Sequence, residues 1–297
     1  MRLDSACKAT LIGLLAPLCW GMSVGLTRSI TESFGLAAGI SLLSWAVCLY
    51  LTFFLGLPKL SAFPRKYLLL GLPMANVCSL CFCSSLYLSD GGAQTVEVGM
   101  VNYLWPCLVV LFAVVFNGQK ARWWMAPGVI ISFLGVMLVL GGKEGIQPDL
   151  IWTHVRQNPW SYLMAFLGAM AWAVYSNLTR AWSRGQNPTV IVFALDALIF
   201  TGAWLLGFGD LGHASVRGWL SLGLGTVAMG SAYAAWSYGV TRGSITLLGV
   251  ASYFTPVLSC LFAVVWIDAS LDASFWLGVL VVVCGSLLCW SSTVLHR

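Results

Sequence analysis

Twice, 150 residues apart, this chain sets a proline and polar side chains in the middle of hydrophobic sequence. The first block is Glu97-Val98-Gly99-Met100-Val101-Asn102-Tyr103-Leu104-Trp105-Pro106, running on into Leu111-Phe112-Ala113-Val114-Val115. The second is Ser252-Tyr253-Phe254-Thr255-Pro256, followed by Leu261-Phe262-Ala263-Val264-Val265. In lipid such interruptions are tolerated only where protein or a water-filled cavity surrounds them. The pair therefore predicts a duplicated membrane fold with both blocks near the centre of a transport pathway.

The rest of the chain agrees with a membrane setting. It is 59% hydrophobic and 8% charged, against roughly 25% charged residues in soluble domains. Apolar windows of about 20 residues recur along it, which predicts an all-α polytopic membrane protein. The predicted spans are 9–29, 36–57, 66–88, 91–116, 122–141, 160–182, 188–207, 217–239, 244–266 and 272–293, ten transmembrane helices in all. With the N-terminus inside, eleven of the fifteen Lys and Arg residues fall on inner segments. Cytoplasmic loops are enriched in these residues, so both termini are expected in the cytoplasm. The first span follows Arg2 and Lys8 as a secretory signal would, but it is long and lacks a small-residue cleavage pattern, so it is expected to be retained.

Further correspondences join the two blocks. Trp20, Leu26, Thr27 and Arg28 match Trp172, Leu178, Thr179 and Arg180 in spacing; Gly128 and Gly135 match Gly278 and Gly285. These divide the chain into an N-terminal five-helix repeat (1–145), an outer connecting loop (146–159) and a C-terminal five-helix repeat (160–297). Five spans per repeat is an odd number, so the copies lie in the bilayer with opposite topology. That arrangement characterises secondary transporters, whose substrates bind near the midplane between the repeats.

On a helical wheel Gln94, Glu97 and Trp105 share a sector of about 80°, with Asn102 beside it and Tyr103 turned away. Pro106 lacks an N–H and deprives the Asn102 carbonyl of its helical partner; Pro256 does the same to Ser252. Freed carbonyls and short polar side chains suit an ammonium group, and aromatic rings suit an apolar body. Trp20, Glu97, Asn102, Tyr103, Trp105, Trp172, Ser252 and Tyr253 are therefore the candidate substrate-binding residues, with Pro106 and Pro256 as helix kinks. Tyr87, Tyr175 and Tyr238 are weaker aromatic candidates. Most other tryptophans lie near span ends, where interfacial anchoring explains them. Glu97 could carry a coupling proton; Asp196, the other intramembrane acid, is expected to serve in structural hydrogen bonding. Gly21 and Gly25 are expected to let another helix pack closely.

Cys78, Cys81 and Cys83 have no histidine or second cysteine pair to complete a metal site, and no disulfide is expected. His154, His213 and His296 fall in predicted loops or at the terminus, so no span offers a histidine base, and no hydrolase motif is present. No catalytic residue, metal, cofactor or nucleic-acid partner is expected. The expected partners are a small molecule and the lipid bilayer.

Ala9-Thr10-Leu11-Ile12-Gly13-Leu14, the block from Glu97 to Pro106, Phe116-Asn117-Gly118-Gln119-Lys120, Ser252 to Ser259 and Gly285 to Trp290 carry a resemblance over nearly the whole chain. The chain resembles the drug/metabolite transporter superfamily in its EamA-type branch, most closely the YddG group of aromatic amino acid exporters. It departs from the branch pattern after helices four and nine, where an acid is common and Gln119 and Asp268-Ala269 stand instead. The resemblance implies a bacterial inner-membrane exporter of aromatic amino acids and methionine working by alternating access. An exporter of lipophilic cations and a non-transport membrane scaffold are the alternatives.

Overall fold

Sequence this apolar must satisfy its backbone hydrogen bonds within each segment, which favours helices. The computed structural model describes residues 4–120, 122–141, 146–208, 212–267 and 273–294. Among them 85% are helical and none is in a strand. Asp268 and Ala269, the loop residues Lys143, Glu144, Asp210 and Asp272, and the terminal Arg2, His296 and Arg297 lie outside the described residues.

The helices of the first half are α1 (Ser5–Gly13), α2 (Leu15–Phe34), α3 (Leu36–Leu55), α4 (Pro73–Tyr87), α5 (Gly91–Asn102), α6 (Trp105–Asn117) and α7 (Met125–Gly141). Those of the second are α8 (Pro148–Gln157), α9 (Pro159–Trp182), α10 (Thr189–Leu205), α11 (Val216–Arg242), α12 (Ile245–Ala251), α13 (Thr255–Ile267) and α14 (Ala273–Val294). Ser5–Met22, Leu36–Leu55, Tyr67–Tyr87 and Glu97–Asn117 are long and apolar enough to cross a membrane. Met125–Leu140, Thr189–Leu205, Ile245–Ser259 and Ala273–Cys289 are shorter apolar stretches. The protein is thus a multi-pass, all-helical membrane protein. Gly35 alone joins α2 to α3, at φ +84° where a side chain would be strained.

Packing links the two halves throughout. The main pairs are α7 on α14, α2 on α11, α4 on α9 and α3 on α10, followed by α6 on α9 and α13 on α2. At the α7–α14 contact, a Cβ on Gly128 would lie 3.1 Å from the Gly285 carbonyl oxygen, and one on Gly135 would lie 3.0 Å from that of Gly278. Backbones meet there directly, as small residues permit between membrane helices. Gly21 behaves likewise, its missing Cβ standing 2.7 Å from the Leu258 Cβ of α13.

Three expectations change. The connection 146–159 is not a plain loop, because it contains α8, with Pro148 in its first turn, Asp149 at the N-terminal end and His154 and Arg156 at the C-terminal end. Asp149 and Arg156 each oppose the helix dipole at their end, and Val155 packs against Val98, Tyr162 and Ala165. His154 therefore stands on a helix. The proline blocks are breaks rather than kinks: α5 stops at Asn102 and α6 begins at Trp105, so Pro106 occupies a first-turn position where a missing N–H is harmless. In the second half a 3₁₀ turn, Ser252–Phe254, separates α12 from α13, and Pro256 opens α13. The first predicted span is also divided, at Leu14, three residues before Pro17.

Candidate functional site

An alanine stands one helical turn before several tryptophans: Ala16 before Trp20, Ala169 before Trp172 and Ala232 before Trp236, each alanine fully buried. Helical side chains lean toward the N-terminus, so these alanines leave room into which the indoles turn. The outcome is a cluster where α2, α6, α9 and α11 converge. Trp20 is its hub, with ring centroids 5.8 Å from Trp105, 5.7 Å from Trp172, 5.3 Å from Trp236 and 5.3 Å from Tyr233. Most of these contacts are edge-to-face, the arrangement that ring quadrupoles favour. Trp105 lies 5.6 Å from Trp236, and Trp172 lies 5.4 Å from Tyr233. The first three indoles are 7–8% exposed and Trp236 is 1% exposed, with its Nε1 donating to Ser176 Oγ at 3.2 Å.

Polar contacts close the structure on both sides of this cluster. Tyr162 and Arg180 lie near opposite ends of α9, with Trp172 between them, about 15 Å and about 12 Å away along the helix. At the first end Glu97 accepts a hydrogen bond from the Tyr162 hydroxyl and meets His154 Nδ1 at 2.9 and 3.1 Å. Asn158 Nδ2 donates to Gln94 Oε1 at 3.0 Å, which ties the start of α9 to α5. At the second end Arg180 Nη1 donates to the carbonyls of Val240 at 2.7 Å and Gly243 at 2.6 Å, capping the end of α11. Tyr67 and Thr179 share a hydroxyl–hydroxyl bond of 2.8 Å, and Asn117 Nδ2 donates to Asn177 Oδ1 at 2.6 Å.

The structure brings together Trp20, Trp105 and Trp172 of the eight expected residues. Glu97 belongs to the polar closure with His154. Asn102 ends α5, half-buried, three residues before Trp105. Tyr103, in the α5–α6 break, and Tyr253, in the 3₁₀ turn, pack around the α7–α14 pair with Val129, Val282 and Cys289. Ser252 is fully buried and donates to the Leu248 carbonyl one turn back, at 2.8 Å. Among the weaker candidates, Tyr175 joins Trp172 at 5.3 Å, Tyr238 packs under Arg242, and Tyr87 is 70% exposed. Trp236 and Tyr233 were not legible as site residues. Trp236 lies only three residues from the end of the predicted span, where an interfacial anchor is expected, whereas α11 continues to Arg242 and carries the ring inside. The alanine spacing that Trp236 shares with Trp20 is the signal that could have found it.

The closure at Glu97 has a direct test. A hydrogen bond to a charged group contributes about 1.5–3 kcal/mol, so His154→Ala should speed local opening of α8 by roughly tenfold to a hundredfold. Hydrogen–deuterium exchange of α8 amides would measure this, and exchange equal to wild type would show that the contact holds nothing shut.

Comparison with known proteins follows this geometry. Residues 159–291 match the EamA-like transporter family. The chain is 41% identical over 286 residues to the aromatic amino acid exporter YddG of Salmonella typhimurium, covering 96% of this chain and 98% of that protein. It is also 41% identical over 287 residues to the protein of the same name from Escherichia coli, with the same coverage, 96% and 98%. A crystal structure of another protein superposes with TM-score 0.78 at 25% identity, covering 99% of this chain and 100% of that one. The helical fold is thus that of a membrane transporter. The chain belongs to the EamA-like transporter family and is similar over nearly all its length to the YddG exporters.

Proposed function

We propose that this protein is a secondary transporter that exports aromatic amino acids and methionine across the bacterial inner membrane by alternating access. In this reading ten spans form two inverted five-helix repeats, and both termini are cytoplasmic. The tryptophan cluster carries the proposal. Four indoles on four different helices form a site whose partners for an aromatic side chain are already in place, and S–aromatic contacts extend it to methionine. The amino acid backbone would meet polar groups at the α5–α6 break, where Asn102 lies next to Trp105 along the chain. Ser252 occupies the corresponding break in the other half.

The packing pattern supports inverted repeats. Exchanging α2 with α9, α3 with α10, α4 with α11, α6 with α13 and α7 with α14 converts α2–α11 into α9–α4 and α2–α13 into α9–α6, pairs that also occur. It leaves α7–α14 and α3–α10 unchanged. Two copies related by such an exchange can rock about their shared axis, opening one end as the other closes. The closure around Glu97 would then open outward and the closure around Arg180 inward.

The test is flux in proteoliposomes of purified protein. Tryptophan, phenylalanine, tyrosine and methionine should exchange with labelled tryptophan, and leucine much less. Absence of tryptophan flux in protein that is folded would overturn the reading. The aromatic cage also favours a second cargo, since indole faces attract quaternary ammonium ions. Competition by a lipophilic cation but not by phenylalanine would select that reading.

A further inference from the structure

Asp196 lies at the middle of α10 and is only 6% exposed. Its carboxylate is contacted from α4: Asn76 Nδ2 lies 2.8 Å from Oδ1, and Ser79 Oγ lies 2.9 Å from Oδ2. Among the described residues no Lys, Arg or His pairs with it. The titratable groups near it are Cys78 and Cys83 of α4 and Tyr233 of α11. On α3, Cys48 donates to the Val190 carbonyl and Tyr50 bonds to Ser231, both away from the acid. An unpaired charge sealed inside a membrane helix bundle is strongly disfavoured, because neither water nor an opposite charge compensates it. A closed state that seals this carboxyl is therefore favoured when the carboxyl carries a proton.

The surrounding bonds accommodate both protonation states without moving a heavy atom. With the carboxylate ionised, Ser79 and Asn76 both donate to it. With a proton on Oδ2, that proton is donated to Ser79 Oγ, and Ser79 turns its own hydrogen to the Ala75 carbonyl, 3.3 Å away. Asn76 keeps its bond to Oδ1 and a second to the Val192 carbonyl at 3.0 Å. Asn76 Oδ1 is buried with no hydrogen-bond partner among the described residues. The pocket also adjoins the tryptophan cluster, because its neighbour Tyr233 lies 5.3 Å from Trp20 and 5.4 Å from Trp172, and Ala75, Val192 and Cys78 pack in the same hydrophobic core.

We propose that Asp196, held by Asn76 and Ser79 beside the tryptophan cluster, is the proton-binding site that couples export to the proton gradient. The proposal rests on the transport reading above. One proton is taken up on the outer side and released to the cytoplasm for each amino acid moved outward, with no net chemistry on the carboxyl. Glu97 is the other intramembrane acid that could carry a coupling proton. His154 and Tyr162 hold it in the polar closure instead, whereas the pocket of Asp196 holds no cation.

The experiment compares two rates in proteoliposomes: tryptophan counterflow, which requires no net proton movement, and tryptophan uptake driven by an inside-acid gradient with the membrane potential clamped. Wild type should accumulate tryptophan up to about tenfold for a gradient of about one pH unit. In Asp196→Asn the ratio of driven uptake to counterflow should fall to its no-gradient value, and Glu97→Gln should keep the gradient response. Ser79→Ala, a milder change, removes a bond from both forms; the charge-assisted bond to the ionised form is the stronger of the two, so the pH midpoint of driven uptake should move to higher pH. A wild type that exchanges tryptophan but ignores the gradient would overturn the coupling. So would an Asp196→Asn that still responds to the gradient, or a Ser79→Ala midpoint that does not move. A wild type without counterflow would instead fail the transport reading itself.

Discussion

Trp20→Ala should raise the KM for tryptophan at least about tenfold. Trp20 makes ring contacts with Trp105, Trp172, Trp236 and Tyr233, so it is the surface against which an entering aromatic ring would most readily exchange partners. Each aromatic pair contributes about 0.5–1.5 kcal/mol beyond simple burial, and about 1.4 kcal/mol is tenfold in affinity. Deleting the indole also leaves a cavity among Trp105, Trp172 and Trp236, so part of any loss could reflect folding. Trp20→Phe separates the two effects, since it keeps a ring face while removing part of the area. Its KM should fall between wild type and alanine at near-native thermostability. A folded Trp20→Ala protein with an unchanged KM would remove the cluster from the substrate path.

The second large effect is expected at the α7–α14 contact. In Gly285→Ala the new methyl group would sit 2.4 Å from the Ser132 backbone nitrogen and 2.8 Å from the Gly128 carbonyl oxygen. Neither is a side chain that can rotate away, so the helices must separate, and overpacking of this kind costs about 1–3 kcal/mol or more. Thermal unfolding in detergent should drop well below wild type, and Gly285→Leu should not yield folded protein. Gly202→Ala is the control, because nothing lies within 4 Å of its added methyl. That change should be neutral or stabilising, since glycine costs about 1 kcal/mol against alanine inside a helix. Equal melting of Gly285→Ala and Gly202→Ala would mean that the close α7–α14 approach is not required.

Trp20 and Trp172 were readable as partners because their spacing to Leu, Thr and Arg repeats, and Trp105 because it sits mid-span in an interrupted helix. The tyrosines that align equally well, Tyr103 and Tyr253, come together as well, but on α7 and α14. Tyr103 lies in the α5–α6 break and Tyr253 in the 3₁₀ turn, and a linear alignment does not say which wall a residue there faces. Glu97 was recognisable as an acid in lipid, but its partner His154 lies 57 residues away on α8, a helix in a stretch that reads as a polar connection.

Residue order therefore carries the membrane setting, the helical content and the neighbourhoods of Pro106 and Pro256 where the helices are interrupted. These depend on composition, local periodicity and proline chemistry, all of which act over a few residues. The meeting of Trp236 and Tyr233 with Trp20, the pairing of Glu97 with His154 and the enclosure of Asp196 by Asn76 and Ser79 were decided by tertiary packing. Each joins helices far apart in the chain, and their relative rotation is set by where small residues such as Gly21, Gly128 and Gly285 let backbones touch.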